Sequence, residues 1–241
     1  MKKTSIIKIV NSIDCSQLLR RSCKKLNLYS ILRIVKIIKC KMLLNSSSVE
    51  DLLICWYLSR VNNNWISLKI NTNKLFKEIL YLSGKRLETY GQRTTFISPK
   101  WCWLLRLMIN NLNIYFCIDS RYTCCNIRKL VGIGSMLKNE NWITGIRVAQ
   151  SDSRKVNKVA FWDIIYNNIK LNPLLLWNIN QIINCIASSQ LSYNSLQNIG
   201  FKSIGCVPCT RAIKKNERLR TGRWWWESSK KTKSECGLHK V

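Results

Sequence analysis

Acidic side chains are scarce in this chain. Twelve Asp and Glu residues stand against 40 Lys and Arg, a formal net charge of +28 over 241 residues. Taken alone, that shortage points to a polyanion partner. The basic residues, however, are spread along the whole chain and form no dense stripe. They accompany abundant asparagine and isoleucine, as in Asn62-Asn63-Asn64 and residues 31–38. Lysine, asparagine and isoleucine have AT-rich codons, so biased nucleotide composition could produce the balance without a specific nucleic-acid partner. A field of this sign still attracts anionic substrates. Long apolar runs are missing as well. Residues 28–44 are amphipathic, and their lysines and arginine argue against a membrane span. The opening Met1-Lys2-Lys3-Thr4-Ser5-Ile6-Ile7 begins like a secretory leader, but polar residues break the apolar run before Cys15, so no leader is expected. There is no internal repeat and no long low-complexity linker. The length suits one domain with a sizeable core. Histidine occurs once, as His239.

Cysteine, by contrast, is plentiful: the chain has twelve. Four of them form two pairs. Cys124-Cys125 is followed by Asn126-Ile127-Arg128-Lys129, and Cys206-Val207-Pro208-Cys209 by Thr210-Arg211. Pairs far apart in sequence can meet and complete a four-thiolate site for zinc or an iron–sulfur cluster. Adjacent cysteines are awkward for a zinc ribbon, which uses two spaced pairs. Two unrelated pairs of buried thiols are the plain alternative. Basic residues within four positions of both pairs favour a site. Cys15, Cys23, Cys40, Cys55, Cys102, Cys117 and Cys185 have no assigned role, and small apolar packing is their default.

The C-terminal region carries the strongest pattern. Arg220-Thr221-Gly222-Arg223-Trp224-Trp225-Trp226-Glu227 precedes Ser234-Glu235-Cys236-Gly237-Leu238-His239. A thiol near cationic groups is stabilised as thiolate, the nucleophilic form of cysteine. Arginines suit a phosphate-like or sulfate-like substrate.

Together these strings resemble the assimilatory adenylyl-sulfate (adenosine 5′-phosphosulfate) reductases of the phosphoadenylyl-sulfate reductase family. The matching segments are Cys124-Cys125 with Arg128-Lys129, Trp142-Ile143-Thr144-Gly145-Ile146-Arg147 and Lys170-Leu171-Asn172-Pro173-Leu174. The stretch from Ser203 to Arg211 and the two C-terminal strings complete the set. The resemblance runs from about Ser46 to the C-terminus, and its motifs are specific from Cys124 onward.

What the resemblance implies is concrete. The fold would be α/β, a modified nucleotide-binding parallel sheet of the adenine nucleotide alpha hydrolase type, with flanking helices and a mobile C-terminal tail. The activity would be thiol-dependent reduction of adenylyl sulfate to sulfite and AMP. Cys236 would attack the sulfur and carry an S-sulfonate, and thioredoxin or a similar dithiol would release sulfite. His239 would orient the thiol or the phosphosulfate. Lys129, Arg147, Arg220 and Arg223 would clamp the anionic substrate, with Ser46 in the phosphate loop. Cys124, Cys125, Cys206 and Cys209 would ligate a 4Fe-4S cluster, and Lys129 would link it to the substrate. Reduced thiols imply a cytoplasmic location. No membrane and no specific nucleic acid are involved, and an assembly of identical subunits is compatible with this reading.

The N-terminal motifs depart from the family pattern. Ser46-Ser47-Ser48-Val49-Glu50-Asp51 stands where the family has Ser-Phe-Gly-x-Glu-Asp, so Ser48 replaces a glycine that eases backbone approach to phosphate. Asn71-Thr72-Asn73-Lys74-Leu75 stands for Asp-Thr-Gly-x-Leu, and Asn73 is expected to take over the left-handed conformation. After Arg147 the chain reads Val148-Ala149-Gln150-Ser151, one basic and one acidic residue short of the family pattern, with Arg154 as partial compensation. Other readings are a reductase of the 3′-phosphorylated substrate, a low-activity homologue, a zinc-stabilised protein and a nucleic-acid-binding module.

The expected layout is a basic lead over residues 1–40, a nucleotide-binding domain over 41–209 and a catalytic tail over 210–241. A strand is expected at Ile66–Ile70 and another over residues 141–145. Helices are expected over 74–82, 101–110 and 178–187, with a further helical run from Leu52 to Leu58.

Overall fold

A computed structural model describes residues 35, 40–61, 64–90, 94–110 and 113–227. Cys236, His239 and most of the basic lead lie outside the described residues.

The first strands are short, apolar and bounded by polar turns, and they assemble into one sheet. β1 (Met42–Leu44), β2 (Ile66–Ile70), β3 (Thr94–Ile97), β4 (Trp142–Thr144), β5 (Ala160–Asp163) and β6 (Asn168–Leu171) lie in the order β3-β2-β1-β4-β6-β5. Every pairing is parallel except β5 with β6. Alternation along each strand distributes side chains to two layers. Leu43 and Ile143 face one core with Leu53, Leu171, Leu174 and Ile182. Their neighbours Leu44 and Trp142 face the other, with Leu68, Ile133 and Leu137. Helices therefore cover both faces, as a buried parallel sheet requires.

The first face is covered by α1 (Val49–Val61) and α6 (Ile179–Ser188). Ser48 caps α1 by accepting from the Asp51 N–H at 3.2 Å. Asn178 and Gln181 exchange side-chain and backbone bonds of 2.8 Å at the start of α6. The expected helix over 74–82 runs instead as α2, Lys77–Tyr90. The Asn71–Leu75 turn occupies the residues before it. The expected helix over 101–110 is α3 (Trp101–Ile109), but it does not itself carry the cysteine pair. That pair ends α4 (Ile118–Cys125), which passes through a π-helical turn at Asn126–Leu130 into α5 (Val131–Leu137).

β1 pairs with β2 on one side and β4 on the other. The chain winds outward through β2 and β3, then returns across β1 to β4. The carboxyl ends of β1 and β4 thus flank a topological switch point, where open α/β sheets form their ligand crevice.

One expectation changes. Residues 210–227 are not part of a loose tail. Thr210 bridges to Arg223 in an antiparallel pair, and Arg223, Trp224 and Glu227 are all buried. This segment has no apolar period because backbone bonds, stacked guanidinium groups and an ion pair fasten it. Among the described residues no helix is long and apolar enough to cross a membrane.

Candidate active site

The two loops leaving β1 and β4 form the walls of a cleft of about 450 Å³. Ser46, Lys129, Arg147, Arg220 and Arg223, the five residues expected to bind substrate, all line it, and Cys206 lies at its edge. A cleft of this size accommodates a nucleotide-scale ligand.

The β1 loop is tightly tied. Asn45 Oδ1 accepts from the Ser47 N–H at 2.8 Å. Asp51 Oδ2 accepts from both the backbone N–H and the hydroxyl of Ser46, each at 2.6 Å. The Ser46 hydroxyl is thus committed to Asp51, whose carboxyl burial raises in pKa against the lowering effect of the Ser46 bonds. The left-handed residue is Ser47, at φ 63°, rather than Ser48. Ser48 keeps ordinary geometry and uses its hydroxyl as the helix cap. The Ser47 hydroxyl accepts from Lys69, a buried lysine on β2 that also donates to Ser83. Sequence reading missed Lys69. Its signal was a lone cation inside the apolar strand Ile66–Ile70.

Arg147, at the end of the β4 loop, meets the first turn of α1. Its Nε donates to Glu50 Oε1 at 2.8 Å, and both side chains are buried. Gln150 Nε2 donates to the same oxygen at 3.0 Å, and Arg154 donates to Gln150 Oε1. Glu50, Gln150 and Arg154 thus form a polar chain along the wall, and Arg154, expected as partial compensation after Arg147, lines the cleft. Glu50 was not singled out from sequence, although an acidic residue in the first turn of a helix is its visible mark.

Gly145 permits this closure. A Cβ there would overlap the Asp51 carboxylate and stand 2.8 Å from the Glu50 Cβ. Gly145→Ala is expected to force α1 away from β4, destabilise the protein by about 1–3 kcal/mol and weaken binding of a nucleotide-scale ligand in the cleft. Thermal unfolding and nucleotide titration check this.

The Asn71–Leu75 turn joins the cleft to the cysteines. Asn73 is left-handed at φ 57°, as expected, and Asn71 Oδ1 accepts from its N–H at 3.0 Å. An asparagine oxygen thus makes the turn contact that a carboxylate would make. Thr72 is buried, with its hydroxyl 3.2 Å from Cys206 Sγ and its carbonyl accepting from Arg128 at 2.8 Å. Cys125, Cys206 and Cys209 pack in one buried cluster with Trp224, and Cys124 is half-buried beside Ile127. Burial raises the Cys124 thiol pKa, opposed by Arg128 and with Cys206 adding to the rise. Among the described residues, no three Cys, His, Asp or Glu side chains are arranged as a ready set of metal ligands. Three buried donors nearby lack an acceptor: Trp224 Nε1, Arg223 Nε and Arg121 Nη1. Buried N–H groups left so carry a desolvation cost that a sulfur or oxygen acceptor would relieve.

Burial, with Cys206 and Cys125 adding, pushes the Cys209 thiol up to about 12 from 9.0. Burial pushes Cys40 up to about 12 as well. The unfolded chain releases these protons near pH 9 and the folded chain retains them to about 12. Their stabilisation is complete below pH 9 and is lost as pH rises towards 12. Metal-free, reduced protein is therefore expected to show an unfolding midpoint that falls across that window.

Gly205 and Arg223 meet closely. A Cβ on Gly205 would overlap the Arg223 guanidinium, which donates to the Ile204 carbonyl at 3.1 Å. Trp224 follows at φ 45°, a left-handed conformation that costs a non-glycine residue about 1–3 kcal/mol.

A family model described as the phosphoadenosine phosphosulfate reductase domain matches residues 42–212. Three relatives bear the name adenosine 5′-phosphosulfate reductase. That of Agrobacterium fabrum is 38% identical over 70% of this chain and 66% of its own length. That of Rhizobium meliloti is 35% identical over 80% and 74%. That of Allochromatium vinosum is 34% identical over 81% and 77%. The chain thus spans about two thirds to three quarters of these relatives. The crystal structure of phosphoadenylyl-sulfate reductase from Candida auris shares the fold, with a TM-score of 0.65 over 82% of this chain and 95% of that one, at 19% identity. With its motifs, its switch-point cleft and these relatives in agreement, the chain belongs to the phosphoadenosine phosphosulfate reductase family.

Proposed function

We propose that this chain is a sulfonucleotide reductase that converts adenylyl sulfate to sulfite and AMP at the expense of a dithiol. The observation that carries the reading is the convergence of Ser46, Lys129, Arg147, Arg220 and Arg223 on one cleft at the switch point. The five residues come from four separate stretches of sequence, and Lys129, Arg147, Arg220 and Arg223 are cations suited to a phosphate and a sulfonate.

Cys236 performs the chemistry. Its thiolate attacks the sulfur of the phosphosulfate, the S–O bond to phosphate breaks, and AMP leaves with the electron pair. The protein then carries a cysteine S-sulfonate. One thiolate of thioredoxin, or of a similar dithiol, attacks the Cys236 sulfur and sulfite departs. The second thiol of that reductant resolves the mixed disulfide, so the reductant ends oxidised and Cys236 returns as thiol. Lys129, Arg220 and Arg223 offset the repulsion between an anionic nucleophile and an anionic substrate. Arg147, held by Glu50, shapes the wall that receives the nucleotide. His239 orients the reacting groups.

Cys124, Cys125, Cys206 and Cys209 would hold a 4Fe-4S cluster. The four-thiol donor set fits it, as do the donors of Trp224 and Arg223 that lack acceptors beside it. When bound, the cluster supplies charge and a local field beside the cleft. Cluster chemistry and a reduced Cys236 both suit the cytoplasm.

The test is sulfite release from adenylyl sulfate and thioredoxin by anaerobically purified protein, with iron quantified on the same sample. Sulfite with about four irons per chain is the expected result. Folded protein with neither iron nor sulfite overturns the proposal. Faster turnover of the 3′-phosphorylated nucleotide would reassign the substrate.

A further inference from the structure

The segment from Arg223 to Glu227 contains a construction that the proposed chemistry does not use. Arg121 on α4 is fully buried, and its Nε and Nη2 donate to the two carboxylate oxygens of Glu227, the latter at 3.2 Å. The partners are 106 residues apart in sequence. The Arg121 guanidinium also lies 4.3 Å from the Tyr122 ring centroid and 4.5 Å from that of Trp224. Arg223 lies over the same indole at 4.8 Å and lines the cleft. The Trp224 backbone N–H donates to the Cys209 carbonyl at 3.2 Å.

We propose that Arg121 and Glu227 are positioning residues that fix the departure point of the Cys236-bearing segment relative to the cysteine pairs and the cleft. This rests on the reductase reading given above. Three features support it. First, both attachments of the segment are made to cysteine-bearing stretches. Arg121 precedes Cys125 by four residues, and so shares its face of α4; Trp224 hangs from Cys209 itself. Second, a buried ion pair is a poor source of net stability, whereas a two-point guanidinium–carboxylate contact defines a geometry closely. Third, Glu227 is nine residues before Cys236, a span of at most about 30 Å when extended. The origin of so short a tether determines whether its thiol reaches the cleft, and modest misplacement of a reacting group costs large factors in rate.

The experiment compares wild type, Glu227→Gln and the double variant Arg121→Met with Glu227→Leu. The double variant leaves no unpaired buried charge and guards against a simple folding failure. Three quantities are measured: S-sulfonate formation at Cys236 in a single turnover with adenylyl sulfate and no reductant, AMP affinity, and iron content. Positioning predicts S-sulfonate formation at least about tenfold slower in both variants, with AMP affinity and iron held within about twofold. Arg121→Lys is expected to recover part of the rate. Wild-type rates in the double variant overturn the proposal. Parallel loss of iron, AMP affinity and rate in the double variant also overturns it, because the pair would then be general scaffolding. If wild type itself forms no S-sulfonate, the reductase reading fails, and amide hydrogen exchange over residues 224–227 decides the anchor. Exchange at least about tenfold faster in the double variant supports it, and unchanged exchange overturns it.

Discussion

Cys236→Ser is expected to stop sulfite release while leaving the brown colour of the proposed iron–sulfur cluster in place. The reaction needs a nucleophile that is anionic near neutral pH and that later serves as a leaving sulfur in thiol exchange. A serine hydroxyl does neither. It stays protonated without a strong adjacent base, and an O-sulfonate has oxygen in place of the divalent sulfur that a dithiol attacks to expel sulfite. The expected loss is at least about 10³-fold, down to the uncatalysed background. Iron content and AMP affinity should be unchanged, because Cys236 is neither one of the four paired cysteines nor one of the residues proposed to clamp the substrate. Retained turnover would remove Cys236 from the mechanism. Loss of colour together with activity would mean that Cys236 supports the metal site instead.

Cys209→Ala is expected to give the complementary result for the proposed cluster, colourless protein with little iron. Cys209 is buried against Cys125, Cys206 and Trp224, so water cannot readily replace a missing ligand there. Iron should fall to a small fraction of the wild-type content. Stability should fall as well, because metal binding free energy is also folding free energy. Cys185→Ala is the control. That cysteine packs on the α1–α6 core, and its loss should leave iron intact. Unchanged iron in Cys209→Ala would refute its role as ligand.

Local pattern carried much of this fold. The strand Ile66–Ile70 and the helix Ile179–Ser188 were visible because apolar spacing and a capping residue are local properties. The proposed substrate-side residues could be selected because they stand in motif strings; Ser46 and Arg147 meet at the carboxyl ends of the parallel strands β1 and β4, whereas Lys129 comes from the π-helical turn and Arg220 and Arg223 from the C-terminal segment. β1 was not singled out because its three residues lie inside the amphipathic run 28–44, whereas β4, equally short, stands within a motif string. The β5–β6 hairpin escaped for a related reason: a buried lysine, Lys170, interrupts β6 and takes its compensation from the Trp142 and Phe161 rings. Pairings such as Glu50 with Arg147 and Arg121 with Glu227 span about a hundred residues and leave no periodic trace. The same holds for residues 210–227, where polar fastening replaces an apolar stripe. The left-handed conformation at Ser47, where the family has an aromatic residue, arises from Asn45 and Lys69 contacts that only the folded loop assembles.

The π-helical turn at Asn126–Leu130 has a consequence for how this chain can vary. Such a turn is an α-helix that has absorbed one surplus residue. Deleting any one of its five residues would let the helix rewind to ordinary spacing. The flanking helices would stay close to phase, but any turn residue that follows the deletion would shift by up to about 100° relative to the cysteine pair. Arg128 would no longer point at the Thr72 carbonyl, nor Lys129 at the cleft. The length of this short segment is therefore under tighter constraint than its composition. Descendants of this sequence can exchange Asn126 or Ile127 for other residues, but a three-nucleotide deletion here would put the cysteine pair and its neighbouring cations out of phase in a single step.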